Sequence, residues 1–210
     1  MKIYLIRHAR TKSNDDVIYA GRNDEPILQE HFERIEQLSL FLSVNEVAKI
    51  YSSPLRRAKM TAELVSKSIK VPIIVEDRLN EIEFGPWTGL QRQEIEDRYA
   101  QEWWLWRNDP FNFVLEGAET LGSVQERSVS WLESKEVMGD FLDKNRAIAA
   151  VTHETNIKSL FCALSGNRKD CYRSLIVANC SVHVLKMHSA NSRSFLSKSC
   201  DKPGDCTLTR

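Results

Sequence analysis

Two histidines occupy the same kind of place in the chain. His8 follows the apolar run Ile3 to Ile6 by one residue, Arg7, and His153 directly follows the run Arg146-Ala147-Ile148-Ala149-Ala150-Val151-Thr152. Short apolar runs of this type read as buried strands. In open α/β sheets the carboxyl ends of the strands are where ligands bind. Arg7 and His8 together place a guanidinium fork, suited to a tetrahedral oxyanion, beside an imidazole that can act as a nucleophile when neutral. A structural Arg-His pair closing a strand is the simpler alternative for the dipeptide alone. Two further stretches make it less sufficient. Ser52-Ser53-Pro54-Leu55-Arg56-Arg57-Ala58 is again a strand end with a polar loop and paired guanidinium groups. Leu79-Asn80-Glu81-Ile82-Glu83-Phe84-Gly85-Pro86-Trp87-Thr88-Gly89 sets a carboxylate among apolar and aromatic neighbours, a setting that raises its pKa toward general-acid use. Glu83 is the rival to Glu81 for that task.

The elements that must position these residues follow from the pattern of the rest. Over 210 residues, 29 Lys and Arg balance 29 Asp and Glu, so no global field recruits nucleic acid or an anionic membrane and any phosphate affinity has to be local. No apolar run approaches the roughly 18 residues of a membrane span, and Met1-Lys2-Ile3-Tyr4 lacks a signal-peptide h-region. The five cysteines form no Cys-x-x-Cys pair, so zinc and redox motifs are unsupported and a cytoplasmic protein with reduced thiols is expected; Cys200 and Cys206 are the one pair close enough in the tail to join. Helical spacing from Gln29 to Leu42, a strand at Lys49 to Ser52, a helix from Ala58 to Lys67 and a strand from Val71 to Val75 alternate as in a parallel α/β sheet. Gln91 to Asp109 reads as one aromatic helix carrying Trp103, Trp104 and Trp106, whose rings are read as core packing of the insertion, with substrate stacking as the alternative. Glu119 to Asp143 reads as one long helix. After His153 a helix runs to Leu164, closed by Gly166, and Ser174 to Cys180 and Val182 to Met187 read as two last strands. The expected organisation is a single domain over 1–190 with a cap-like helical insertion at about 91–120, followed by a flexible tail over 191–210. His31, His183 and His188 have no motif context and read as surface or strand-packing residues.

Taken together, these stretches resemble the histidine phosphatase superfamily, the phosphoglycerate-mutase-like group of branch 1. That family's Arg-His-Gly-Glu-Thr-x-x-Asn opening corresponds to Arg7 through Asn14, its Ser-x-Leu-x-Arg-Ala-x-x-Thr-Ala motif to Ser53 through Ala62, its Leu-x-Glu-x-x-Phe-Gly-x-Trp-x-Gly motif to Leu79 through Gly89, and its late strand-then-histidine motif to Val151-Thr152-His153. The matches fall in family order over about the first 190 residues. The resemblance implies an α/β three-layer sandwich, a mostly parallel central sheet flanked by helices, with the insertion over the strand carboxyl ends. It implies His8 as phosphoryl acceptor, Arg7, Arg57 and His153 as clamps on the phosphoryl oxygens, and Glu81 as general acid and base. Asn14, Arg10, Arg22, Thr11 and Glu154 are the implied substrate-binding residues.

The chemistry agrees with that assignment, because phosphoryl transfer asks chiefly for alignment and charge neutralisation. Two arginines and an imidazole can supply the charge, and no carboxylate cluster accompanies these loops, so a metal-independent reaction without cofactors is expected. The activity expected is that of a histidine-acid-phosphatase-like phosphomonoesterase on a small phosphorylated molecule. A phosphoglycerate-mutase-type transfer and a phosphoprotein phosphatase are the alternatives, and a homodimer is compatible with the chain. Departures from the family pattern concern specificity: Ala9 for glycine, Arg10 for glutamate, Glu154-Thr155 after the second histidine, Gln29 and Phe32 beyond the Gly21 to Leu28 loop, and Glu116 to Thr120 in place of Gly-Gly-Glu-Ser. Arg10 either meets a second anionic group or pairs with a surface acid.

Overall fold

The computed structural model describes residues 2–142, 147–165, 168–186 and 199–200. Its centre is a sheet of strands β1 (Lys2–Arg7), β2 (Val47–Ser52), β3 (Ile73–Val75), β4 (Ala147–Thr152), β5 (Val182–Lys186) and β6 (Ser199–Cys200), ordered β3-β2-β4-β1-β5-β6. β3, β2, β4 and β1 are parallel to their neighbours, and β5 and β6 add antiparallel pairings at one side. Helices are α1 (Lys12–Asp15), α2 (Phe32–Val44), α3 (Arg56–Ile69), α4 (Arg92–Arg98), α5 (Ala100–Asn108), α6 (Leu121–Leu132), α7 (Lys135–Leu142), α8 (Glu154–Ser165) and α9 (Arg168–Ser174).

The two central strands are apolar on both faces because both faces are covered, as parallel sheets require. Every residue of β4 is buried. On one face Tyr4, Ile6, Ala149 and Val151 pack against Ile35, Leu38 and Leu42 of α2 and Ala58, Ala62 and Val65 of α3. On the other, Ile3, Leu5, Ile148 and Ala150 meet Trp131 and Leu132 of α6 and Ile157, Leu160 and Phe161 of α8. Full burial of each large apolar side chain contributes about 1.5–3 kcal/mol relative to leaving it in water. This is the expected layered α/β architecture. A third cluster lies beneath the 91–120 segment, where Trp87, Phe84, Phe113 and Ile95 are enclosed by Trp103, Trp106 and Tyr19.

Several element boundaries differ from the sequence expectation. The helix expected over Gln91 to Asp109 is two, because Tyr99 leaves helical geometry at φ −134°, ψ 45°, letting the aromatic residues of α5 fold back onto Trp87. The long helix expected from Glu119 is also two, α6 and α7, interrupted at Glu133 and Ser134. Ser174 to Cys180 is not a strand. Cys180 sits at φ 60°, and this segment's polar groups serve the loop after β1 instead of a ladder. Within the expected tail, Ser199 and Cys200 pair with His183 and Val182; the rest of the tail, the Cys200–Cys206 pairing and the Gly166 cap lie outside the described residues.

Candidate active site

Because β3, β2, β4 and β1 are parallel, their carboxyl ends share one edge, and each delivers one piece of a crevice of about 820 Å³. The last register pair between β1 and β4 is Arg7 with Thr152, so His8 and His153 leave the sheet side by side. Their ring centroids lie 5.1 Å apart. From β2 come Ser53 and, in the first turn of α3, Arg57. From β3 a 3₁₀ turn, Asp77–Leu79, leads to Glu81, which Thr152 Oγ1 ties to the β4 end by donating to the Leu79 carbonyl at 2.6 Å. Arg7, His8, Asn14, Arg57, Glu81 and Glu154 all line the crevice.

The state of His8 follows from its contacts. Nδ1 lies 2.7 Å from the Ala9 carbonyl, which can only accept, so Nδ1 carries the proton and Nε2 keeps its lone pair. Burial, then the charges of Arg57 and Arg7, hold its pKa well below the usual 6.5. The imidazole is therefore neutral, with a free nitrogen in a cationic setting.

His153 is fully buried beside His8 and is not among the residues that line the crevice. Its Nε2 lies 2.8 Å from Ser53 Oγ, which also accepts the Leu55 N–H at 3.3 Å. The Ser53 hydroxyl has no other acceptor among the described residues, so its proton is assigned to Nε2 and the ring proton to Nδ1, a buried donor with no protein partner. Burial, then Arg57 and His8, keep this ring's pKa well below 6.5 as well.

The guanidinium groups are anchored by carbonyls from opposite walls. Arg57 donates to Gly21 O and Asn23 O, each at 2.7 Å. Arg7 donates to Val177 O at 2.7 Å and pairs with Glu154 at 2.8 Å, leaving Nε buried without a partner. Burial alone would raise the Glu154 carboxyl, but Arg7 and Lys158 more than offset it and hold it below 4.5. Asn14 Oδ1 accepts the Thr11 N–H and Asn179 Nδ2. A backbone N–H can only donate, so the amide orientation is fixed and its NH₂ is left as a donor in the crevice.

Glu81 is 9% exposed. Burial raises its pKa above 4.5, against the pull of the Ile82 N–H at 2.8 Å and of Arg57 and Arg7. Its main chain is held on both sides. Arg127 Nη1 donates to Asn80 O at 2.6 Å, Arg22 Nε to Glu81 O at 3.0 Å, and the Glu119 N–H to Glu83 O at 2.8 Å. Glu119 ion-pairs both arginines. Glu83 is occupied elsewhere: its Oε1 accepts the Gly85 N–H and the Thr88 hydroxyl, and it does not line the crevice, whereas Glu81 does. Gly85, at φ 55°, lies so close to Gly117 that a Cβ would stand 2.6 Å from the Gly117 carbonyl carbon, which explains the small residue in that turn.

The structure places three of the expected substrate contacts away from the crevice lining. Arg10 lies outside the crevice and ion-pairs with Asp15, the surface-acid alternative. Arg22 braces Glu81 and Glu119 from behind and does not line the crevice. Thr11 is fully buried beneath the loop, where its N–H secures Asn14. Asn14 and Glu154 do face the crevice. The tryptophans divide: Trp103 packs on Trp87 at 6.1 Å, Trp104 is exposed, and Trp106 both packs and lines the wall. Sequence reasoning missed the role of Ser53, whose partner is 100 residues away, and that of Asn179, which reaches His8 O and Asn14 from the segment mistaken for a strand. Among the described residues no group of three or more His, Cys, Asp or Glu is placed to hold a metal ion, and no helix is long and apolar enough to cross a membrane.

A sheet whose strand ends converge a buried neutral histidine pair, two arginines and a buried carboxylate defines an α/β protein of the phosphoglycerate-mutase-like class. The model of the histidine phosphatase superfamily, branch 1, matches residues 3–197, and the chain belongs to that family. It is 29% identical to phosphoserine phosphatase 1 of Hydrogenobacter thermophilus over 89% of this chain and 87% of that protein. It is 28% identical to the adenosylcobalamin/alpha-ribazole phosphatase of Salmonella typhimurium over 64% and 68%. The solved structure of YhfR from Bacillus stearothermophilus superposes with a TM-score of 0.81 at 26% identity, covering 94% of this chain and 96% of that one.

Proposed function

We propose that the protein hydrolyses phosphomonoesters of small organic molecules through a phosphohistidine intermediate on His8. The observation that carries this reading is the Nδ1–Ala9 carbonyl hydrogen bond, which leaves a neutral, crevice-facing Nε2 next to two guanidinium groups. In the first half-reaction the Nε2 lone pair forms the N–P bond as the ester P–O bond breaks. Glu81, whose protonated form burial favours, gives its proton to the departing alkoxide. In the second half, ionised Glu81 takes a proton from water, the new P–O bond forms, the N–P bond breaks, and phosphate and neutral His8 are restored. Arg7 Nε and the Asn14 NH₂ belong to crevice-lining residues and are unpartnered donors suited to the phosphoryl oxygens, and the His153 Nδ1–H, on a buried ring 5.1 Å from that of His8, is read as a third donor to a phosphoryl group seated on His8. Arg7 and Arg57 supply the positive charge a divalent cation supplies elsewhere, so the reaction is read as metal-independent. Two similar proteins are named phosphatases, and the crevice is sized for a small molecule. Unpaired Cys162, Cys171 and Cys180 fit a reducing, cytoplasmic setting.

The test is to quench turnover of a ³²P-labelled phosphomonoester and locate the label. Acid-labile, alkali-stable label on His8, absent in His8→Ala together with p-nitrophenyl phosphate hydrolysis, is the expected result. Turnover without label on residue 8, dependence on a bisphosphorylated primer, or release from phosphopeptides alone would overturn it.

A further inference from the structure

Among the described residues, the cations at the floor of the crevice have carboxylates beside them, and those at its mouth do not. At the floor Arg7 and Lys158 share Glu154, at 2.8 and 2.7 Å, and Arg57 feels the charges of Glu81 and Glu25. At the mouth Arg107, in the last turn of α5, and Arg173, in the last turn of α9, line the same crevice. Neither ion-pairs with a carboxylate among the described residues. They are nevertheless held together: Arg173 Nη2 donates to the main-chain carbonyls of Arg107, at 2.9 Å, and Asn108. The Arg107 guanidinium is seated over the Trp103 ring, 5.7 Å from its centroid, so it is not a freely waving surface side chain. A lone exposed arginine is ordinarily just solvated. Two adjacent ones from separate helices, without an acid, in the wall of an 820 Å³ crevice leave like charges that an anion would relieve.

We infer that the preferred substrates carry a second anionic group, a carboxylate or a second phosphate, remote from the scissile phosphoryl group and received by Arg107 with Arg173 beside it. This deepens the phosphatase reading and rests on it. It also relocates the second-anion role that the sequence offered to Arg10. The α5 carbonyls already occupy part of Arg173, so Arg107 is the principal partner.

The experiment measures kcat/KM of the full chain for ω-carboxyalkyl monophosphates of graded chain length and for the matching primary amides, with alkanediol bisphosphates as a second arm. The expected result is an acid-over-amide preference of about tenfold at one chain length, the scale of an exposed charge-assisted contact. It should shrink as salt is raised and collapse toward one, mainly through KM, in Arg107→Met. That substitution keeps an unbranched stem over Trp103, and Arg107→Lys should restore part of the preference. A bisphosphate preferred over the carboxylate supports the proposal and identifies the second group as phosphate. Hydrolysis of acid and amide at equal rates throughout the series would overturn the proposal while leaving the phosphatase reading intact, as would a preference that Arg107→Met does not alter. No phosphate release from any member would bring down the underlying reading and this one with it. Should Arg107→Met fail to fold, the salt dependence in the unaltered enzyme still decides: a salt-insensitive preference overturns the proposal.

Discussion

His8 and His153 stand at equivalent places on adjacent parallel strands and are both buried, both neutral and only 5.1 Å apart at their ring centres, yet the structure equips them for different work. The difference lies in one hydrogen bond each. A carbonyl on Nδ1 of His8 leaves an electron pair at Nε2; a hydroxyl on Nε2 of His153 leaves a proton at Nδ1. On the proposed mechanism, the partner of the far nitrogen, and not burial or strand position, suits one imidazole to act as a nucleophile and the other as a donor.

That contrast can be pressed in descending order of expected effect. His8→Ala should lose the labelled intermediate altogether, as set out above. For Glu81→Gln, turnover of alkyl phosphates should fall by about 10²–10⁴-fold, whereas aryl phosphates with good leaving groups should lose much less. The sign of the pH dependence follows from the two shifts. His8 must be neutral, so activity falls with acid only well below pH 6.5; Glu81 must be protonated, so activity falls as pH rises through its elevated pKa. A pH–kcat/KM profile should therefore lose its alkaline limb in Glu81→Gln, and retention of that limb would deny Glu81 the acid role. His153→Ala should retain label on His8 while slowing its appearance by about 10²-fold, the scale of one lost oxyanion donor; rapid-quench labelling distinguishes this from loss of the nucleophile. Ser53→Ala should have the smallest effect, about tenfold in kcat/KM, with Ser53→Thr recovering most of it. Nitrogen NMR of the unaltered protein should show His153 protonated at Nδ1, and a proton on Nε2 would remove the distinction drawn between the two rings.

Much of this site is legible in the chain because most of its pieces sit where an apolar run ends in charge. Arg7-His8, Ser53 to Arg57 and Thr152-His153 show that pattern, and Glu81 stands out as a carboxylate among apolar and aromatic neighbours. What the sequence conceals is pairing across space. Nothing in Ser53 announces His153, and nothing in Arg22 announces that its guanidinium is committed to Glu119 and the Glu81 carbonyl. Ser174 to Cys180 misleads for a physical reason. Buried Val177 and Cys180 mimic a strand, but the Cys180 N–H goes to Arg7 O, Val177 O holds Arg7, and Asn179 holds Asn14 and His8 O. The residue pattern shows which side chains are apolar and not where the main-chain groups are needed. The breaks at Tyr99 and Ser134 are similar, since helix-forming residues continue past both.

The bracing of Glu81 has a consequence for how such a protein can change. Arg22, Glu119 and Arg127, which moor the backbone around it, all lie outside the crevice lining. Arg107 and Arg173 belong to neither that bracing nor the Glu81 loop, so on the proposed reading they can be exchanged for a different cargo while Glu81 keeps its alignment. Drift in what the enzyme accepts and fidelity in how it reacts are carried by separate sets of residues.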